Sequence, residues 1–384
     1  MIYFCSLGQN NDKLETFLSS ALIQTEAGHA WFEGNTVLNT VALGSLATVE
    51  TYLKFYHNAH LSSVSFPELR SLGTNLEIIG NSPSTSDGLL SISMEKLETV
   101  GAHVKFEDNA LLAQISLPRL KTVGGLVAII SNAKLAALQL HSLVNIMDYC
   151  SVASNPKLES ILLPSLKTVG RDLSFKSNSL LEVISLPRLQ LAGGSLTIES
   201  HSNLNNFTAN SLFEVDGIFD VDGCTSLVAL SAANLVTIDS LIVEKNSALE
   251  ELSLRRLEQV RDFVLIRENS ALTTISFPSL RFVQGDFNIG DLQTSLEVLS
   301  APSLQSIGRS LKVMAGEKLG LVQVDLHSLH HILGLVESEP DFFQLSSSSA
   351  NARVMACHGL LRFGIRASSF PNGYSRLARP PPLF

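Results

Sequence analysis

The sequence predicts an all-β fold, a right-handed parallel β-solenoid of about 14 coils with about 23 residues in each. Three observations carry the prediction. Leucine recurs at a fixed interval, with Leu89, Leu112, Leu135, Leu158, Leu181, Leu204 and Leu227 each 23 residues apart. Proline and glycine return at two fixed points of the same interval, and both punctuate secondary structure. Between them lie short apolar runs whose spacing fits strand ends, not a helix.

The unit "NPKLESILLPSLKTVGRDLSFKSN", residues 155–178, serves as the reference, with Asn155 as repeat position 1. Asn holds position 1 at Asn35, Asn58, Asn81, Asn109, Asn132, Asn155, Asn178, Asn246 and Asn269. Stacked once per coil, its amide is able to serve the backbone groups of its own turn and of the next coil. Positions 4, 7 and 9 are apolar and end the first extended run, "LESILL". Pro67, Pro118, Pro164, Pro187, Pro278 and Pro302 occupy position 10, where a residue without an N–H marks a corner between strands. Gly73, Gly101, Gly124, Gly170, Gly193 and Gly308 share position 16, a second corner that calls for positive φ or close backbone approach. The second run, "DLSFKS", puts apolar residues at positions 19 and 21, so positions 20 and 22 face outward. A further copy begins at Asn11, with Leu14 at position 4, and one five-residue insertion falls in "SPSTSDG". At about 4.8 Å per coil, such a stack makes a rod of roughly 65 Å.

Composition agrees with this shape. A chain of 384 residues ordinarily suggests two or three domains, but a solenoid lengthens without needing new cores. The 45% apolar content follows from seven inward positions per coil, and the 7% aromatic content from coils too thin for many rings. No apolar run reaches the ~18 residues of a membrane span. The repeat is assigned to residues 1–344, which carry all 36 acidic residues against 22 basic ones, a net of −14. No nucleic-acid partner is expected of this body. Residues 345–384 have no repeat, no Asp, Glu or Lys, and five Arg. They are expected to form a disordered Arg/Ser/Pro-rich tail, in which "RLARPPPLF" has the look of a polyproline ligand.

The pattern N-x-x-L-x-x-I-x-x-P-x-L-x-x-[VI]-G-x-x-L-x-I-x-x-N resembles the receptor L-domain repeat, a relative of leucine-rich repeats, over about nine-tenths of the chain. That repeat occurs in the ectodomains of insulin- and EGF-type receptors and in fungal GPI-anchored cell-wall proteins. The resemblance implies a non-enzymatic binding or structural module, extracellular or at the cell surface, with a protein or glycan partner. The chain departs from the family in three ways. "MIYFCSLGQNNDKLE" lacks the basic and apolar segments of a secretory signal. No GPI-type apolar tail is present. There is a single N-glycosylation sequon, Asn206-Phe207-Thr208. The chain also opens inside a repeat, which implies a cap or signal lying outside these residues. An intracellular scaffold is the reading that follows if it has no such signal.

The search for chemistry returns little. Cys5, Cys150, Cys224 and Cys357 have no framework or metal spacing. Cys150 falls at an inward position, and Cys224 replaces the position-1 Asn, where a thiol loosens the ladder. His327, His330 and His331 offer at most two metal ligands with nothing to complete the set. No cofactor is expected. The outward face of the second run is the place to look, and its middle is acidic: Glu199, Asp220, Asp222 and Glu244 fall on three successive coils. Asp220 and Asp222 share one face about 7 Å apart, and neighbouring coils bring Glu199 and Glu244 within about 5 Å of Asp222. These four are the candidate binding residues. The plainest reading is a solvated acidic face; the others are a weak Ca²⁺ site, a docking patch for a basic partner, or a glycosidase pair. A carbohydrate-active β-helix enzyme would need long loops to wall a cleft. Nearly every coil here has the same length.

Overall fold

The computed structural model describes residues 15–18, 26–81, 88–290, 295–313, 323–333, 336–338, 353–357 and 360–364. Every described element is a β-strand, and stacked parallel strands form a β-solenoid of about 12 turns with about 23 residues per turn. The count of about 14 from sequence includes first and last copies that lie partly outside the described residues, as does the insertion at residues 82–87.

Most coils have three strands where the sequence suggested two; in two coils the second and third are continuous, as Glu214–Asp222 and Thr237–Glu244. In the reference coil the three are Ser160–Leu162, Thr168–Val169 and Leu173–Lys176. The first and third are the two predicted runs. The middle one is the "TV" before the position-16 glycine, too short to show a period of its own. The second and third strands of all coils belong to one 26-stranded sheet. The first strands stack into three separate sheets of six, three and five strands. Register is strict: Leu173 pairs with Leu196 and Lys176 with Glu199, one coil on.

The inward positions are as the spacing predicts. Leu158, Ile161, Leu163, Leu166, Val169, Leu173 and Phe175 are all buried, in a single core cluster that runs from Ala30 to Leu326. Position 1 is buried as well. Asn155 donates from Nδ2 to the carbonyls of Ile129 (2.8 Å) and Ala153 (3.0 Å), and its Oδ1 accepts the Asn132 N–H at 3.1 Å. One amide therefore closes its own turn and ties it to the coil before.

The two uses of glycine separate cleanly. Position 16 is small because backbones meet there: a Cβ on Gly101 would lie 1.9 Å from the Gly73 carbonyl oxygen. Positive φ belongs to the residue just before position 1, at Ser131, Ser154 and Ser177 with φ between 54° and 58°. The stack is thus bent into its turn by a left-handed residue immediately ahead of the asparagine. The 1–344 and 345–384 division falls largely outside the described residues at its boundary; within the second segment Arg353–Cys357 and Leu360–Gly364 pair antiparallel.

Candidate functional site

The candidate carboxylates lie on the outer face of the long sheet. Glu199 ends strand Leu196–Glu199, Asp220 and Asp222 close Glu214–Asp222, and Glu244 ends Thr237–Glu244. Strand pairing places Glu199 opposite Asp222 and Asp222 opposite Glu244, while Asp220 faces Thr197 and Ile242. The structure therefore brings all four together as the sequence spacing requires.

Their electrostatics differ from a bare acidic face. The same column begins with Lys176 and ends with Arg267, and Lys245 stands beside it. Lys176 Nζ lies 2.7 Å from Glu199, Lys245 Nζ 3.3 Å from Asp222, and Arg267 grips Glu244 with Nε at 2.8 Å and a terminal nitrogen at 3.1 Å. Three of the four carboxylates thus have a cation of their own. Asp220 is left out, with one buried carboxylate oxygen that has no hydrogen-bond partner. Burial first, then the Asp222 and Glu199 charges, push its carboxyl up to about 6 against the opposing pull of Lys176. Among the described residues no group of three or more His, Cys, Asp or Glu is arranged to hold a metal ion.

The other candidates resolve individually. Cys150 and Cys224 are buried thiols, each raised to about 12 by desolvation. His327 pairs with Asp325 at 2.6 Å, and His330 faces the Ser328 carbonyl at 2.8 Å. Asn206 of the sequon is exposed on strand Asn206–Thr208.

A second cluster on the same sheet face escaped the reading of the outward columns. Trp31 and Tyr52 meet edge to face at 6.4 Å, and His29 lies 5.0 Å from Tyr52. Lys54 Nζ sits 4.9 Å from the Tyr52 ring centroid and 5.6 Å from that of Tyr56. Lys54 also pairs with Glu77 at 3.1 Å. The signal was present in composition: the chain has one Trp, and thin coils exclude large polar rings from the core.

A shallow trough of about 610 Å³ runs along the position-16 corner, lined by Thr48, Ser71, Thr99, Thr122, Gly101 and Met147 among others. Glu50 is the one carboxylate among its lining residues.

Fold and surface together define a β-solenoid repeat protein with a long ordered outer face. Comparison with known proteins adds one finding: over 63 residues the chain is 35% identical to the cell wall protein ecm33 of Schizosaccharomyces pombe. That similarity takes in 16% of this chain and 15% of the relative's length. No family model and no solved structure matches the chain.

Proposed function

We propose that this chain is a non-enzymatic binding or structural module of the cell surface or cell wall, which presents its long sheet face to a protein or glycan partner. The observation that carries the reading is the uninterrupted 26-stranded face built from coils of nearly equal length. Such a surface offers many in-register contact points and, among the described residues, no long loops to wall any of them. The similarity to a cell wall protein supports the location. Catalysis finds less support. A glycosidase needs two carboxylates flanking a bound sugar; the trough has Glu50 alone, and the acidic column lies on an open sheet with three members already ion-paired.

The test is co-sedimentation of the purified full chain with isolated fungal cell walls, combined with an assay for newly released reducing ends. Saturable retention without sugar release is the expected result. Release abolished by Asp220→Asn/Asp222→Asn would replace this reading with the enzymatic one, and absence of retention would remove the wall as its setting.

A further inference from the structure

We propose that the outer face around Trp31, Tyr52 and Tyr56 is a binding site for neutral saccharides. The proposal rests on reading the chain as a non-enzymatic binding module, and it names both the place and the ligand class.

The first support is where the rings lie. The one Trp and two of the five Tyr of the chain fall on two adjacent coils, at or beside strands Ala30–Glu33 and Leu53–Tyr56. At the same level the core is filled by Phe32 and Phe55, fully buried and stacked at 5.0 Å. The polar-tipped rings are only half-buried on the opposite side of the same strands. They are therefore not needed to fill the coil. Tyr52 and Tyr56 are four residues apart on one extended segment, a span of about 13 Å, long enough for a short oligosaccharide. His57 extends the cluster, 6.5 Å from Tyr56 and packed over Gly80.

The second support is hydrogen bonding. Trp31 Nε1–H is itself buried, with no acceptor among the described residues, so the indole offers a ligand its ring and not its N–H. Among the described residues the Tyr52 and Tyr56 hydroxyls make no hydrogen bond. Two phenol tips thus stand ready on an apolar surface, the combination that lets Tyr serve interfaces with one dry and one wet side.

Charge decides between ligand classes. The central ammonium, Lys54, is held between two rings and neutralised by Glu77, which is only 5% exposed. Glu33 pairs in register with Tyr56 at the edge. The surface so presents no net positive field to a polyanion. An apolar peptide side chain would cover the rings and leave their donors unmet. A pyranose meets both demands, with C–H faces for the rings and hydroxyls for the phenol O–H groups.

The single Trp makes the test direct, because all indole emission comes from the proposed site. The full chain is titrated with cellohexaose, laminarihexaose and chitohexaose, with heparin and an apolar peptide as the competing classes. A saturable change in emission with at least one neutral oligosaccharide is expected. Tyr52→Ala should weaken that binding tenfold or more, Tyr52→Phe less, and Ser174→Asp, on the same sheet but far along the stack, not at all, with unchanged circular dichroism in each. Calorimetry repeats the titration without relying on emission. The proposal falls if no neutral oligosaccharide registers by either method, if only heparin or the peptide does, or if folded Tyr52→Ala binds like wild type. Wall retention that persists in that case would leave the module reading standing and remove this site alone.

Discussion

From Asn35 to Asn178 each coil turns its corner on an asparagine, whereas at residues 201 and 224 the same corner is turned on a histidine and a cysteine. From Asn58 to Asn178 each side-chain amide makes two or three hydrogen bonds with backbone groups, donating to carbonyls and accepting one N–H. His201 keeps one contact, through Nδ1 to the Asn178 N–H (3.3 Å) or carbonyl (3.2 Å), while its Nε2 is buried without a partner. Cys224 still passes its N–H to Asn246 at 2.8 Å, but its sulfur reaches the Ile198 and Asp222 carbonyls only at 3.7 and 3.8 Å. The thinned ladder coincides with another irregularity. Strand register shifts between Val215 and Ile218; the first-strand stack breaks here, between Asn206–Thr208 and Ala229–Ser231, as it also does in the regular stretch between Ala137–Gln139 and Ser160–Leu162.

What this teaches is that an asparagine at that corner does two jobs, and other residues do one. The acidic column lies on the strands that lead into the weakened corners: Glu199 and Asp222 stand two residues before His201 and Cys224. Their pairings to Lys176 and Lys245, each about one coil away, tie neighbouring coils where the amides do not. Each such exposed pair contributes about 0–1 kcal/mol, less than a buried amide network.

Substitutions sharpen the contrast, beginning with the core that both regions share. Leu158→Asp buries an unpaired carboxylate and should cost at least about 4 kcal/mol, whereas Ser174→Asp on the outer face should stay within about 0.5 kcal/mol. Equal melting temperatures for the two would break the assignment of inward and outward positions. Next is Asn155→Ala, which strands the Ile129 and Ala153 carbonyls and the Asn132 N–H; a loss of about 3 kcal/mol is expected. Cys224→Ala gives up only weak sulfur contacts and should lose about 1 kcal/mol. Denaturant midpoints measured side by side would show the ordering, and the reverse order would dismiss the ladder as the source of the difference.

A repair should work in the other direction. His201→Asn restores the missing amide and should stabilise by about 1 kcal/mol. Burial lowers the His201 pKa, so the folded state holds the imidazole neutral and loses stability as acid charges it. The gain from His201→Asn therefore grows as pH falls through the imidazole range, which thermal melts across pH would reveal. Asp220 has the opposite sign. Its raised pKa means that folding is favoured while the carboxyl is protonated, fully so below the ordinary value of 3.8, and that this contribution is lost as pH rises through about 6. Asp220→Asn should thus be neutral at low pH and stabilising by about 1 kcal/mol above pH 6, after allowing for solvent screening. The smallest expected effect is that of calcium. Because Glu199, Asp222 and Glu244 already have cations, melts with and without Ca²⁺ should coincide for wild type and for Asp220→Asn/Asp222→Asn. A rise confined to wild type would make the column a metal site.

The acidic column was legible before any coordinates because a solenoid turns long-range contacts into a fixed sequence interval. Glu199, Asp222 and Glu244 are neighbours for the same reason that Leu158 and Leu181 are. Lys176 and Arg267 lay in that column too, and their charge was the sign that it closes on itself. Lys245 was harder to see, since it occupies the left-handed position before the asparagine and reaches across from outside the column. The aromatic cluster went unread because its members sit at different repeat positions, Tyr52 before the strand and Trp31 and Tyr56 within it. A column-by-column reading separates what side-chain reach brings together.

By itself the sequence determined the period, the inward positions, the two corners and the stacking of like on like, because each of these depends on the backbone path and recurs with it. Only the tertiary structure decided the rest. It placed the left-handed residue ahead of the asparagine and assigned position-16 glycine to close approach, a matter of carbonyl oxygens from another coil. It also left Asp220 without a partner while its neighbours found theirs. Those outcomes depend on rotamers, desolvation and sub-ångström clearances between coils, which vary from one coil to the next and so leave no trace in a repeat.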